Sequence, residues 1–231
     1  MRVLDSQTPQ VRIVPVGVCG AIVPWNYPVL EMAKIVGPCL AAGCTLVYKT
    51  NEHTPLNVLR CAELLVEAGM PPGVINFVNG TVPTGELISN HMDIDKVFFT
   101  GSVGAGKQIA QAAAASNLKQ TCLELGGKSP HIIFPDCDFE AAAANALMGF
   151  TTNMGQGCCC GTRVYVHEEI YERFLARVAE LAAELTMTVG APDLDETQIG
   201  PLANPTQLER VSRYLEIGKQ EVRSPLGCLR C

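Results

Sequence analysis

The chain has 231 residues, of which 48% are hydrophobic and 17% charged, so it is long and apolar enough to fold around a buried core and is not disordered. The formal net charge is −6 and no basic run is present, which excludes a nucleic-acid partner. Eleven cysteines, an odd number, and the lack of an apolar leader favour a reducing compartment, so we predict a cytoplasmic protein. Prolines interrupt the uncharged stretch at residues 13–30, and we predict no contact with a membrane.

β-Rich apolar segments alternate along the chain with segments that read as helices, several of which start at a proline or stop at a glycine. Thr54 precedes one of these prolines and is the expected N-cap of its helix. Repeated βα units of this kind predict an α/β fold with a parallel sheet covered by helices on both faces. The predicted strands are 16–23, 45–49, 74–78, 96–99, 120–125, 131–134 and 163–167, and the predicted helices are 28–42, 55–68, 84–91, 105–115, 139–150 and 168–185.

A triple cysteine, Cys158 to Cys160, follows the glycine-rich turn at residues 155–157. A thiolate attacks a carbonyl carbon without the help of a metal, and the glycines leave room for a substrate. The segment that starts at Glu124 offers a carboxylate base. Thiol and carboxylate are far apart in the sequence, so they can meet only through the fold.

Polar side chains follow the first two predicted strands, where pocket residues of a parallel sheet are expected. Asn26 lies in a turn framed by prolines, and its amide either points into a cleft or bonds its own backbone, the commoner outcome for such a residue. Lys49 and Glu52 come after the second strand. The carboxylate can accept a hydrogen bond from a ribose hydroxyl, although an ordinary solvated pair is the commoner outcome.

The stretch 100–107 joins a predicted strand to a predicted helix and nearly matches a P-loop. A run similar to a Walker B strand ends at Asp136. However, Gln108 replaces the hydroxyl residue that binds magnesium, and Pro135 interrupts the strand end. A nucleotide triphosphatase therefore stands as an alternative.

Spacings typical of a metal site are missing, and we predict no metal. The only C-x-x-C pair is Cys228 and Cys231 at the end of the chain, and the four histidines are scattered. Cysteines outside the triple are interpreted as small buried hydrophobic residues. They are Cys19, Cys39, Cys44, Cys61, Cys122 and Cys137.

Five motifs, taken in order, resemble the NAD(P)-dependent aldehyde dehydrogenase superfamily over residues 14–218. They are Pro24-Trp25-Asn26-Tyr27-Pro28, Lys49-x-x-Glu52, Phe99-Thr100-Gly101-Ser102, Glu124-Leu125-Gly126-Gly127-Lys128-Ser129-Pro130 and Gly155-Gln156-Gly157-Cys158. The resemblance implies a Rossmann-like parallel sheet followed by part of a second α/β catalytic domain. The implied division is a leading segment at 1–15, an incomplete dinucleotide-binding domain at 16–126, a partial catalytic domain at 127–218 and an atypical tail at 219–231.

The resemblance also implies a reaction, in which an aldehyde is oxidised to a carboxylic acid through a cysteine thiohemiacetal and a thioester. The implied cofactor is NAD, with NADP as the alternative, and the implied partner is a small-molecule aldehyde. Cys158 resembles the nucleophile, Glu124 the general base and Asn26 the oxyanion donor. The residues that resemble the cofactor contacts are Lys49, Glu52, Gly101, Ser102, Trp25 and Gly126.

Members of the superfamily are longer than this chain, so we expect a segment truncated at both ends whose tail resembles an altered reading frame. We therefore expect a homo-oligomer, or association with a full-length homologue. Two alternatives to an active enzyme remain, the first from the truncation and the second from the near-match to a P-loop at residues 100–107. One is a catalytically inactive truncated homologue, and the other is a P-loop-like nucleotide-binding protein.

Overall fold

A computed structural model describes residues 13–221, so most of the predicted leading segment and the end of the predicted tail lie outside the described residues. The chain divides into two units, Met1–Glu124 and Leu125–Cys231, and each unit is described by itself. This division falls two residues before the predicted boundary between residues 126 and 127. The roles assigned to the two predicted domains stay predictions.

The first unit alternates strands and helices. Its helices α1 and α2 begin at Pro28 and Pro55, as the proline signals predict. Thr54 occupies the N-cap position of α2, as predicted, although its side chain makes no capping hydrogen bond. The elements are β1 Val18–Ile22, α1 Pro28–Ala41, β2 Thr45–Lys49, α2 Pro55–Glu67, β3 Ile75–Val78, α3 Val82–Asn90, β4 Lys96–Gly101, α4 Val103–Ala115 and β5 Gln120–Leu125.

These strands form one sheet in the order β3-β2-β1-β4-β5. The pairs β1/β2, β2/β3 and β1/β4 are parallel. The chain moves outward from β1 to β3 and then returns to the other side of β1, so right-handed crossovers put α1 and α2 on one face and α3 and α4 on the other. The predicted parallel sheet with helices on both faces is confirmed, and its strand order is that of a Rossmann-like fold.

A core of buried side chains fills the space between the sheet and the layer of α1 and α2. Tyr48 is fully buried in this core, and its ring lies 5.4 Å from the ring of Phe77. One buried polar contact links helix α1 to strand β4, because Thr100 Oγ1 donates to Glu31 Oε2 at 2.9 Å. Both residues are buried, so this bond is shielded from water.

The second unit pairs β6 Pro130–Ile133 with β7 Arg163–Val166 in a parallel ladder. Its helices are α5 Phe139–Thr151, α6 Tyr171–Thr186 and α7 Pro205–Glu221. Phe174 of α6 packs against α5, with its ring 5.8 Å from that of Phe139 in an edge-to-face arrangement. No helix within residues 13–221 is both long enough and apolar enough to cross a membrane.

Two features of this unit differ from the sequence predictions. The helix predicted over residues 168–185 begins as a 3₁₀ turn at Glu168–Ile170, and the α-helix starts only at Tyr171. Helix α7 was not predicted. Its start carries a usable signal, since Asn204 Oδ1 accepts a hydrogen bond from the Gln207 N–H just before the proline that opens the helix.

Replacing the buried tyrosine tests the core of the first unit. The hydroxyl of Tyr48 is buried with no hydrogen-bond partner among the described residues, and leaving such a group unsatisfied costs about 1–3 kcal/mol. We expect Tyr48→Phe to keep or raise the free energy of unfolding, because the ring contact with Phe77 survives. Thr100→Val is the matched comparison and should lower it by about 1–3 kcal/mol, since the Glu31 carboxylate loses a buried donor. Urea denaturation followed by circular dichroism measures both, and a clear loss of stability in Tyr48→Phe contradicts the expectation.

Candidate active site

The strand order reverses between β1 and β4, and the carboxyl ends of these strands border the crevice in which open α/β sheets bind ligands. Trp25 and Asn26 lie in the turn that follows β1, and both are half-buried. Gly101 ends β4, and Ser102 follows it at the surface. Four residues predicted from the sequence therefore come to the two strand ends at this reversal.

Helix α4 begins at this crevice, and its N-terminus has a side-chain cap. Ser102 Oγ accepts a hydrogen bond from the Ala105 N–H at 3.2 Å. Because the helix begins at Val103, the glycine at position 106 and Lys107 lie within it rather than in a loop. The P-loop prediction is therefore wrong, since the free glycine loop that cradles phosphates is absent at this place. The helix start still presents backbone N–H groups that can receive an anion.

Lys49, the last residue of β2, forms an ion pair with Glu52, which lies three residues further along the chain. Lys49 Nζ lies 3.8 Å from Glu52 Oε2 and also donates to the Thr50 carbonyl oxygen at 3.1 Å. Only 5% of the lysine side chain is exposed, whereas 37% of the glutamate side chain is. Burial lowers the pKa of Lys49 from its ordinary value, and the charge of Glu52 opposes that shift. The carboxylate is thus held by a buried cation while its other face stays open to a ligand.

Glu124 lies on β5, which forms one edge of the five-stranded sheet, and its side chain is exposed. Gly126 follows the strand, and a Cβ added there would have no other atom within 4 Å. Glu124 belongs to the first unit and Cys158 to the second, so the structure describes each of them within its own unit.

The cysteine segment follows a turn with an unusual backbone. After α5 ends, three consecutive residues are left-handed, with φ of 52° at Asn153, 58° at Met154 and 67° at Gly155. Such values are costly for side chains other than glycine and recur at functional sites. A Cβ at Gly155 would also lie 2.9 Å from the Phe150 carbonyl oxygen. This position therefore requires glycine for two reasons.

Gln156 holds this turn in place from both sides. Its Nε2 donates to the Asn153 carbonyl oxygen at 3.0 Å, and its Oε1 accepts from the Ala203 N–H at 3.0 Å. A Cβ at Gly127 would lie 3.1 Å from the Cys158 carbonyl oxygen, so the second half of the upstream motif packs directly on the cysteine segment. Both motifs are evident in the sequence, but the contacts of Gln156 with Ala203 and of Gly127 with Cys158 are not, because each depends on an approach of the backbone that only the fold creates.

The three thiols of this segment differ in exposure. Cys158 is half-buried, Cys159 is exposed and Cys160 is 8% exposed. Cys160 is thus buried, and its neighbour Gly161 donates its N–H to the Gly149 carbonyl oxygen at 2.9 Å. The three consecutive thiols consequently meet different environments.

Three other cysteines, interpreted from sequence as separate buried residues, lie together. The sulfur atoms of Cys19, Cys39 and Cys44 are all within 4.8 Å of one another. Burial raises the pKa of Cys19 to about 12 and also raises that of Cys39, whereas a backbone hydrogen bond from Gly17 lowers the pKa of Cys44. The interpretation as buried residues is confirmed for these three, although it missed the cluster that they form. It is wrong for Cys61, Cys122 and Cys137, which are only partly buried.

Known proteins are similar to this chain in both sequence and fold. The sequence model of the aldehyde dehydrogenase family matches residues 2–228. An aldehyde dehydrogenase of Emericella nidulans is 50% identical over 207 residues, which are 89% of this chain and 41% of that protein. The NAD⁺ complex of an aldehyde dehydrogenase from Bacillus cereus has a TM-score of 0.88 and 47% identity, and the match covers 91% of this chain and 42% of that one. A mutant of aldehyde dehydrogenase C from Pseudomonas syringae, solved with NAD⁺ and octanal, has a TM-score of 0.86 and 42% identity over 90% of this chain and 42% of that one.

This chain belongs to the aldehyde dehydrogenase family, as the resemblance of its five motifs predicted. It spans about two-fifths of the length of the relatives that it matches. Membership of the family rests on the match over residues 2–228, and the roles of single residues in this chain are proposals.

Replacing Gly155 tests the left-handed turn. We expect Gly155→Ala to lower the free energy of unfolding by about 1–3 kcal/mol, because alanine is strained at this φ and its Cβ meets the Phe150 carbonyl oxygen. Gly218→Ala is the control within the same unit, since a Cβ there meets nothing within 4 Å inside helix α7. It should raise stability by about 0.5–1 kcal/mol. Thermal and urea denaturation measure both variants, and equal effects contradict the account of this turn.

Proposed function

We propose that this chain supplies the dinucleotide-binding crevice and the nucleophile of an enzyme that oxidises an aldehyde to a carboxylic acid with NAD⁺ or NADP⁺. The observation that carries the proposal is the half-buried thiol of Cys158, which a strained glycine turn presents in a chain of the aldehyde dehydrogenase family. A cytoplasmic location, and a homo-oligomer or a complex with a full-length homologue, stay predictions.

The crevice fits a dinucleotide at three points. Ser102 and the N-terminus of α4 offer a hydroxyl and backbone N–H groups where a pyrophosphate would bind. The open face of the Glu52 carboxylate can accept hydrogen bonds from a ribose. Trp25 and Gly101 would line the path between these groups, and the resemblance of its motif supports Gly126 as a further cofactor contact. The relatives from Bacillus cereus and Pseudomonas syringae were solved with NAD⁺, which supports this assignment.

Cys158 would form the first covalent bond. Its thiolate adds to the carbonyl carbon of the aldehyde, and the carbonyl oxygen takes up the negative charge as a thiohemiacetal alkoxide. The side-chain amide of Asn26 and the backbone N–H of Cys158 would donate to this oxygen. Preorganised donors of this kind contribute about 3–4 kcal/mol each to transition-state stabilisation.

Oxidation converts the thiohemiacetal to a thioester on Cys158. A bound nicotinamide supplies the hydride acceptor for this step. Glu124 then takes a proton from water, which attacks the thioester carbon and releases the carboxylic acid and the free thiol. Aldehyde, NAD⁺ and water thus give carboxylic acid, NADH and a proton, with no metal required.

Turnover by cysteine variants tests the nucleophile. We expect the purified chain to form NADH from NAD⁺ and a panel of aldehydes, and Cys158→Ser to remove this activity, because a serine hydroxyl is far less ionised at neutral pH than a thiol. Cys159→Ser is the matched control and should keep the activity. Alkylation by iodoacetamide provides a second measurement, since exposure alone predicts that Cys159 reacts first whereas an activated nucleophile predicts Cys158.

Two results contradict this proposal. If Cys159→Ser loses the activity and Cys158→Ser retains it, the nucleophile is Cys159 and not Cys158. A folded chain that binds NAD⁺ but forms no NADH favours the catalytically inactive homologue instead. In that case, a chimera in which residues 14–218 replace the matching segment of the Emericella nidulans relative shows whether the site residues themselves are competent.

The choice of dinucleotide depends on Glu52. Its carboxylate accepts from a free ribose hydroxyl and repels a phosphate at that position, so we expect the chain to bind NAD⁺ more tightly than NADP⁺. Glu52→Gln should narrow this preference by about tenfold, which corresponds to ~1.4 kcal/mol. Glu67→Gln, an exposed carboxylate at the end of α2, is the control and should leave the preference unchanged. Isothermal titration calorimetry measures both affinities, and equal affinities in the unmodified chain contradict the role of Glu52.

A further inference from the structure

The cluster of Cys19, Cys39 and Cys44 lies at the edge of the sheet opposite the proposed dinucleotide crevice. Cys19 is the second residue of β1, Cys44 directly precedes β2, and Cys39 lies in the last turn of α1. Their exposures are 2%, 4% and 5%, and their sulfur atoms lie within 4.8 Å of one another. None of them takes part in the proposed reaction, so the structure leaves three convergent thiols without an assigned role.

The donor set of this cluster is entirely sulfur. Among the described residues, no histidine or carboxylate joins the group. Structural zinc sites close with four protein ligands, so three sulfurs leave zinc one ligand short in a place with little room for water. Soft thiolate ligands select soft, thiophilic ions. Three such ligands favour an ion whose coordination is complete with three bonds.

The net charge of the complex distinguishes the two remaining candidate ions, monovalent copper and trivalent arsenic. The cluster sits in the apolar core between the sheet and α1, where a net charge is costly. Three thiolates around monovalent copper carry a net charge of −2, whereas three thiolates around trivalent arsenic carry none. The last turn of α1 adds to this preference, because the carbonyl groups at a helix C-terminus disfavour negative charge beside Cys39. The charge of Lys96 acts in the opposite direction, but burial outweighs it and the pKa of Cys39 is raised.

We propose that Cys19, Cys39 and Cys44 form a binding site for trivalent arsenic, held as a neutral three-sulfur complex. Arsenous acid, As(OH)₃, reacts with the three thiols to give one arsenic–trithiolate group and three molecules of water. Three As–O bonds and three S–H bonds break, while three As–S bonds and three O–H bonds form. Arsenic stays trivalent throughout, so the step needs no oxidant or reductant.

The positions of the thiols permit this chemistry with small movements. Sulfurs bound to one central atom about 2.3 Å away lie roughly 4 Å apart, so a separation of at most 4.8 Å closes through shifts of about 1 Å or less. The contacts of the thiols with carbonyl oxygens are long, since Cys39 Sγ lies 3.9 Å from that of Thr45 and Cys44 Sγ lies 4.0 Å from that of Ala42. The backbone hydrogen bond from Gly17 also reaches Cys44. Ala42 and Gly43 are exposed, which gives a route of entry beside Cys44.

The test uses the full chain with competing thiols removed. A background variant carries serine at the three consecutive cysteines and at the two cysteines of the tail, so that arsenite has no other group of neighbouring thiols in the sequence. We expect it to bind one equivalent of arsenite, with three As–S bonds and no As–O bond by X-ray absorption. Replacement of Cys19, Cys39 or Cys44 by alanine should weaken binding at least about tenfold. Cys61→Ala and Cys122→Ala are the controls and should leave the affinity unchanged.

Protection mapping keeps the test independent of the stability of the core variants. Arsenite should shield all three cluster cysteines of the unmodified chain from alkylation when the protein is denatured in the presence of the reagent. The proposal is overturned if arsenic binds only at Cys158–Cys160 or the tail, or if X-ray absorption finds two As–S bonds and one As–O bond in the background variant. Displacement of arsenite from the cluster by equimolar zinc or monovalent copper overturns it as well, because neutrality would not then decide the occupant.

Discussion

The parallel pairing of β1 with both β2 and β4 is the constraint on which the rest of the first unit depends. A central strand whose sheet is covered by helices on both faces must be apolar on both faces, and four of the five residues of β1 are buried. Helix α3 approaches it so closely that a Cβ at Gly20 would lie 2.5 Å from Ile88 Cγ2. Because the strand order reverses between β1 and β4, the turn after β1 and the start of α4 border one crevice.

The buried bond between Glu31 and Thr100 stiffens that crevice. Glu31 lies in the first turn of α1, directly after the turn that carries Asn26, and Thr100 is the penultimate residue of β4. Their hydrogen bond therefore ties the two sides of the strand-order reversal to each other within one unit. A carboxylate in such a place is costly to bury, and its neighbour Lys34 at 3.5 Å offsets only part of that cost because it is half exposed to water. A dinucleotide bound here would meet a preformed edge rather than one that it has to order.

The sequence predicted most elements because proline and glycine mark their ends. Strand β2 and strand β5 were predicted to the residue, and α1 was wrong by only one residue, since Pro28 and Gly43 bracket it. Features that depend on contacts distant in sequence were not predictable in this way. The left-handed φ at Met154 has no signal in its residue type, and the P-loop pattern failed because local spacing cannot show where a helix begins. Helix α7 was missed because none of its residues is buried, which leaves little periodicity to detect.

The two edges of the sheet impose opposite chemistry on the residues that reach them. In repeated βα units, helix N-termini gather at the carboxyl edge of the strands and helix C-termini at the amino edge. The carboxyl edge therefore favours anions, and there the exposed Ser102 and the paired Glu52 face solvent. The amino edge disfavours anions and is closed by apolar side chains, so the thiols of Cys19 and Cys39 are kept protonated. Cys19 and Cys39 are thus weak nucleophiles within the sheet core, whereas Cys158, the proposed nucleophile, is half-buried and follows a glycine turn outside that core.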